Sequence, residues 1–341
     1  MEYSFNWGII GYGNIAKNFE RNIFEKKNNT LRGISSKSKK IKDKKNLNLY
    51  NDELHLLANQ DINSVYVSNL NNQHFESAIN CIKNKKNFII EKPSFINVDE
   101  KNQFIKSLEL SNSFMIEGYM NLYHPQMSLV NDLILDNEIG NLIKIESTIG
   151  FSIIKKFLFF EYYKYKKNHR LLDQNKGGGA IFDIGCYGIA TTRKIINDIF
   201  KEDIDFNLTN IEGKIGQTNI DESASASLLF DNNITSSIKC SIIKNLDNKI
   251  KIFGADGFIE ILEPWTPTEG AKIILENKKG KKIIHTGTKK SAYWYEIDFF
   301  NKMIMANLEI KKKKKNNQIK DIEKNTMTII RWLNRLTDPI N

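Results

Sequence analysis

The chain has 341 residues, 40% of them hydrophobic and 11% aromatic, with a formal net charge of +10. That length suits two domains of ordinary size, and that apolar content excludes wholesale disorder. No stretch reaches the roughly 20 apolar residues a membrane span needs, and three scattered cysteines and five scattered histidines, with no CxxC or HExxH, exclude a disulfide framework and leave metal chemistry without support.

The start, MEYSFNWGIIGYG, has neither a basic leader nor a small-residue cleavage site, so a cytoplasmic protein is expected. The excess of lysine concentrates in two runs, Lys37–Lys45 and Lys311–Lys315. Neither is interleaved with aromatics or accompanied by a nucleic-acid-binding motif, so solvated lysine faces are expected, with neither a nucleic-acid nor a membrane partner.

In chain order, short apolar runs first alternate with helical patterns, the signature of βαβ units and a parallel sheet. Strands are predicted over 5–10, 31–35, 64–68, 87–91 and 113–117, and helices over 15–24, 52–57, 73–83 and 99–110. After about residue 120 the pattern changes. One helix (125–135) precedes longer runs that read as antiparallel strands: 142–151, 207–214, 224–230, 234–242, 249–253, 257–262 and 271–276. Residues 155–175 form a long aromatic and basic connection, and an apolar-periodic helix over 326–336 closes the chain. The fold expected is an α/β Rossmann domain with a parallel sheet (1–120), then an α+β domain with a large, predominantly antiparallel, open-faced sheet (121–341). The helix 326–336 is a candidate to pack back on the first domain.

The strongest motif is Gly11-Tyr12-Gly13-Asn14-Ile15-Ala16, directly after the first strand. Gly11 permits a tight turn, Gly13 lets backbone approach a pyrophosphate, and Ala16 lets the helix pack closely on the strand. The helix start at Asn14 and Ile15 then offers free N–H groups and a partial positive charge to phosphates. An NAD site would show an acid about 20 residues on. Here Ser36 and Lys37 follow the second strand, and a hydroxyl with a lysine suits a 2′-phosphate, so NADP is the expected cofactor, with NAD the alternative.

Two further motifs carry chemistry. Glu91-Lys92-Pro93 ends the predicted fourth strand, at the carboxyl edge where open α/β sheets place ligands. Gly177-Gly178-Gly179 leads through Asp183 to Tyr187, whose i, i+4 spacing predicts one shared helical face.

Together with Val65-Tyr66-Val67 running to His74, the segment 218–230 (TNIDESASASLLF) and Ile252–Gly257, these motifs make the chain resemble the Gfo/Idh/MocA family of sugar and polyol oxidoreductases over nearly its whole length. Glu117–Met120 with His124-Pro125, and Gly185-Cys186-Tyr187, look most like its dihydrodiol and xylose dehydrogenase branch. The resemblance implies that Lys92 and Tyr187 lie beside the nicotinamide and the reacting carbon. A free tyrosine titrates near ~10, too high for a good base at neutral pH. A neighbouring Lys92 ammonium would favour the phenolate. Asp183 is the third expected catalytic residue. Substrate contacts are expected from Tyr119, Arg170, Asp183, Tyr187 and Trp265, and cofactor contacts also from Asn71, His74, Glu91 and Lys92. The family usually has proline where this chain has Leu70, which predicts a looser loop after the third strand. Cys186 reads as a small buried packing residue.

The expected activity is NADP(H)-dependent hydride transfer to or from a secondary alcohol or ketone of a sugar, sugar derivative or cyclic diol. The alternative is a non-catalytic cofactor- or sugar-sensing protein of the same fold. The resemblance also implies a homodimer or homotetramer formed through the open face of the second sheet.

Overall fold

A computed structural model describes residues 3–37, 47–157 and 160–338. The chain divides into two compact units, residues 1–119 with 293–326, and residues 120–292 with 327–341.

The first unit opens with β1 (Phe5–Ile10), α1 (Asn14–Phe24), β2 (Asn29–Ser35), β3 (Asn48–Tyr50), α2 (Glu53–Ala58), β4 (Ser64–Val67), α3 (His74–Lys83), β5 (Asn87–Glu91), α4 (Val98–Glu109) and β6 (Met115–Gly118). Among the described residues the six strands pair in parallel in the order β3-β2-β1-β4-β5-β6. Both faces of the sheet are covered, which is why β4 and most of β5 are buried along their length. The helices follow local rules. α1 buries Ala16, Phe19 and Ile23, at helical spacing, against the sheet. Asp52 and Asn97 cap α2 and α4, accepting from the N–H groups of His55 and Glu100 at 2.9 and 2.8 Å. The strand order reverses between β1 and β4, so a crevice opens at their carboxyl ends.

The second unit begins with α5 (Pro125–Leu135), with proline in its first turn. Then come β7 (Leu142–Gly150), the hairpin of β8 (Ile154–Phe157) and β9 (Phe160–Tyr163), and α6 (Cys186–Phe200). After these follow β10 (Phe206–Ile215), β11 (Asp221–Phe230), β12 (Thr235–Ser241), β13 (Lys249–Gly254), β14 (Gly257–Ile261), β15 (Lys272–Asn277) and β16 (Gly280–His285). The large sheet runs β10-β11-β12-β7-β13-β14-β15-β16 and is antiparallel except at β12–β7. Along β11 and β13 buried residues alternate with more exposed ones, as a sheet covered on one face requires. α6 covers the buried face, approaching so closely that a Cβ on Gly188 would lie 2.6 Å from Ile238.

The chain closes with α7 (Ala292–Met305) and α8 (Leu308–Thr337). Here the structure departs from the sequence reading. The closing helix is 30 residues long, not confined to 326–336, and the segment 293–326 belongs to the first unit although a single boundary at 120 was expected. The physical reason is burial: Phe300 on α7 packs on Trp7, with ring centroids 5.2 Å apart, and Ile319 and Ile322 on α8 join the core under the parallel sheet. The remainder of α8 (327–337) is grouped with the second unit. The connection 155–175 holds the β8–β9 hairpin, and β3 and β16 are further strands that the pattern did not announce. Of the lysine run 37–45, residues 38–45 lie outside the described residues, while 311–315 lies on α8. No helix of the described residues is long and apolar enough to cross a membrane.

Candidate active site

In the first unit the site grows from the turn after β1. Gly11 has φ +81°, and a Cβ there would lie 2.5 Å from the Asn69 nitrogen, so both conformation and space require glycine. Its N–H donates to the Ser35 carbonyl at 2.8 Å, and Ser68 Oγ donates to its carbonyl at 2.9 Å. The turn is therefore tied to the ends of both β2 and β4. Gly13 is the opposite case: a Cβ would meet nothing within 4 Å. It caps α1 with no side chain bonded to the helix N–H groups, and Asn14 and Ile15 follow with exposed side chains. Open space in front of a helix N-terminus is what a dinucleotide pyrophosphate requires, so this chain's residues fit the group. Beyond β2 stand half-buried Ser36 and exposed Lys37, with no acid between them and the strand end.

Leu70 has φ −76° and ψ 148°, within the range proline would impose. Its N–H, which proline would lack, donates to Gln73 Oε1 at 3.4 Å. The loop thus keeps the proline-like geometry, and Asn71 opens the short turn that precedes α3.

The Glu91-Lys92-Pro93 turn, with a cis Lys92-Pro93 bond, is fastened on three sides. Tyr66 Oη donates to Glu91 Oε1, and Tyr66 is itself stacked on Phe19. His74 is fully buried, with Nδ1 3.1 Å from the Pro93 carbonyl. Burial pushes its imidazole down to about 4, so the ring is neutral and donates this bond. The Ser94 N–H donates to Glu117 Oε1 at 2.8 Å, and burial raises the Glu117 carboxyl to about 7. His74 thus ties the start of α3 to the Glu91-Lys92-Pro93 turn. Lys92 is half-buried on that turn, and Tyr119 is buried just beyond β6.

In the second unit the glycine run nests under a loop. A Cβ on Gly178 would lie 2.7 Å from the Arg170 carbonyl, and Gly179, at φ +101°, would drive one into the Asp221 carboxyl. Residues Ile181–Gly185 form a π turn before α6 begins, so Asp183 and Tyr187 do not share one regular α-helix as their spacing predicted. π turns of this kind recur at functional sites. Asp221, at the start of β11, accepts from the Ile181 N–H at 2.6 Å and so fixes the turn. Burial raises its carboxyl to about 7.

Four of the five expected substrate residues fall into two pairs. Arg170 Nη1 meets Asp183 Oδ1 at 2.7 Å, with the aspartate side chain 10% exposed. The Tyr187 and Trp265 rings lie 6.0 Å apart, and Trp265 is fixed by its indole N–H, 3.0 Å from the Thr148 carbonyl. Tyr187 Oη lies 3.9 Å from Met120 Sδ. Cys186 is buried, its thiol 3.1 Å from the Phe182 carbonyl.

Sequence reasoning missed the supporting carboxyls Asp221 and Glu117. Glu117 carried a usable signal, a charged residue inside the otherwise apolar run of a buried parallel strand. Asp221 carried none, because its partner is a backbone N–H 40 residues away.

Two family models match the chain. The oxidoreductase family with NAD-binding Rossmann fold matches residues 5–119, and the Gfo/Idh/MocA C-terminal domain matches residues 127–260. The chain belongs to the Gfo/Idh/MocA family. It is an oxidoreductase whose first unit is a nicotinamide-dinucleotide-binding Rossmann domain. Among similar sequences, trans-1,2-dihydrobenzene-1,2-diol dehydrogenase of Xenopus tropicalis is 26% identical over 294 residues, covering 82% of each chain. Its Mus musculus counterpart is 23% identical over 272 residues, covering 77% of this chain and 76% of that one. Among solved structures, a 3-ketoreductase from Actinomadura kijaniata in complex with NADP and TDP-benzene superposes with TM-score 0.78 at 16% identity, over 96% of each chain. An aldose-aldose oxidoreductase from Caulobacter crescentus gives TM-score 0.78 at 16% identity, over 96% of this chain and 98% of that one. At such identities the structural likeness speaks for the fold.

Proposed function

We propose that this Gfo/Idh/MocA protein transfers hydride between NADP(H) and a secondary alcohol or ketone of a sugar, sugar derivative or cyclic diol. The observation that carries this reading is the carboxyl edge of the parallel sheet. There an open phosphate cradle at Gly13 and a lysine turn fastened on three sides occupy the ends of β1 and β5 of one sheet. A binding module would need the cradle alone; the fixed lysine serves chemistry. The relatives named as dihydrodiol dehydrogenases support the substrate class.

The bound nicotinamide supplies the hydride acceptor or donor. Gly11, Gly13 and the start of α1 bind the pyrophosphate, and Ser36 with Lys37 receives the 2′-phosphate. In the second unit Tyr187 takes the hydroxyl proton in oxidation and returns it in reduction, and in the first unit Lys92 serves the nicotinamide edge of the parallel sheet. Asp183, oriented by Arg170, holds a second substrate hydroxyl, and Trp265 walls the Tyr187 ring. The test is a screen of sugars, polyols and cyclic diols with NADP or NADPH, followed by the nicotinamide absorbance. Turnover that falls by about 10² or more in Tyr187→Phe supports the assignment, since a general acid–base group contributes 10²–10⁴. Turnover unaffected by that change would remove Tyr187 from the reaction.

A further inference from the structure

The opposite edge of the parallel sheet carries a second concavity, a cleft of about 440 Å³. It lies where α3 ends, before β5 and β6 begin, and is closed on one side by α8. β5, with five residues, separates it from the dinucleotide edge by roughly 16 Å. Lys83, Lys85 and Lys311 line it together with Ser111, Asn112 and Ser113, and no carboxylate stands among the lining residues.

Three features set it apart from a solvated lysine face. First, the cations converge from separate elements: Lys83 from the last turn of α3, Lys85 from the left-handed residue after it (φ 56°), and Lys311 from α8. A lysine at the end of α3 complements the helix dipole, but Lys311 sits near the start of its own helix, where a cation is unfavourable. Second, Lys315 stands one turn beyond Lys311, its Nζ 2.6 Å from the Ser111 carbonyl. Both ammoniums are partly buried and titrate below the ordinary lysine value, and Lys311 itself pushes Lys315 down, with Glu109 the opposing carboxylate. Third, Ser113 is 4% exposed and its hydroxyl has no hydrogen-bond partner.

We propose that this cleft binds a small phosphorylated anion, as a site separate from the dinucleotide crevice. Ammoniums as point charges, with serine hydroxyl and amide donors, are the chemistry that recognises a phosphoryl group. The volume suits a metabolite and not a polymer groove. An anion there also offsets the mutual repulsion of Lys311 and Lys315. The lysine run of α8 thereby acquires a role that the oxidoreductase chemistry does not use.

Calorimetric titration of the full chain with inorganic pyrophosphate tests this, with and without saturating NADPH so that the dinucleotide crevice is blocked in one arm. The expected result is a saturable event that persists when NADPH occupies the dinucleotide crevice. It weakens at least tenfold in Lys83→Ala/Lys311→Ala and again in Lys311→Glu, while NADPH affinity stays unchanged. Absence of saturable binding, or equal affinity in wild type and both variants, would overturn the proposal. Because the variants lie far from Gly13 and Lys92, failure of the dinucleotide site would appear in NADPH binding and leave this comparison intact.

Discussion

Gly11 and Gly13 are two residues apart and answer differently to the same substitution. Gly11→Ala puts a side chain into the Asn69 backbone at a left-handed φ, so it should cost about 2 kcal/mol or more in stability, read by denaturant unfolding. Gly13→Ala adds its methyl to open space. It should therefore unfold like wild type yet bind NADPH at least tenfold more weakly, about 1.4 kcal/mol, because the methyl stands where the phosphate approaches. A Gly13→Ala protein with unaltered affinity would place the pyrophosphate elsewhere. At Lys37 the expected change is one of preference: Lys37→Ala should weaken NADPH and leave NADH binding unaltered, seen in parallel fluorescence titrations.

At the scale of elements, the two turns that carry the proposed catalytic residues are held by groups that sequence alone could not pair. The Lys92 turn depends on His74 and Glu117, and the π turn before α6 depends on Asp221. Asp221 makes the second dependence measurable. Its folded carboxyl titrates near 7 against 3.8 for an ordinary aspartate, so the folded state binds the proton more tightly. Its contribution is then most favourable below about 4 and declines as pH rises to 7, where the buried carboxylate ionises at a cost. Asp221→Asn removes that ionisation, so the melting temperature of the variant relative to wild type should climb between pH 5 and pH 8. A constant difference would mean that Asp221 does not hold its proton. The motifs themselves were legible, because glycines after a strand and a lysine at a strand end are local patterns. Their supports were not, because they join β11 to a turn 40 residues earlier and α3 to the turn after β5.

At the scale of the whole molecule, the parallel sheet was readable because buried strands are nearly continuous apolar runs between helical periods. The large antiparallel sheet was readable because burial alternates along it. What escaped lacks those signals. β3 has three residues and β16 is almost wholly exposed, while α7 is apolar on too many sides to show one stripe. α8 is so rich in lysine before residue 319 that its buried apolar face shows only from Ile319 and Ile322 onwards. Yet these late helices complete the first unit. Phe300→Ala, which empties a fully buried site against Trp7 and Phe114, should cost about 3–5 kcal/mol in unfolding free energy. A loss below 1 kcal/mol would mean that α7 is dispensable to that core.

The central claim is a nicotinamide-dinucleotide site that prefers the phosphorylated cofactor, and fluorescence titration of the purified protein with NADPH and, separately, NADH tests it most directly. Saturable binding of both, with NADPH the tighter, is the result predicted by the open cradle at Gly13 and by Ser36 and Lys37 beyond β2. Tighter NADH would contradict the 2′-phosphate assignment, and binding of neither would contradict the oxidoreductase reading itself.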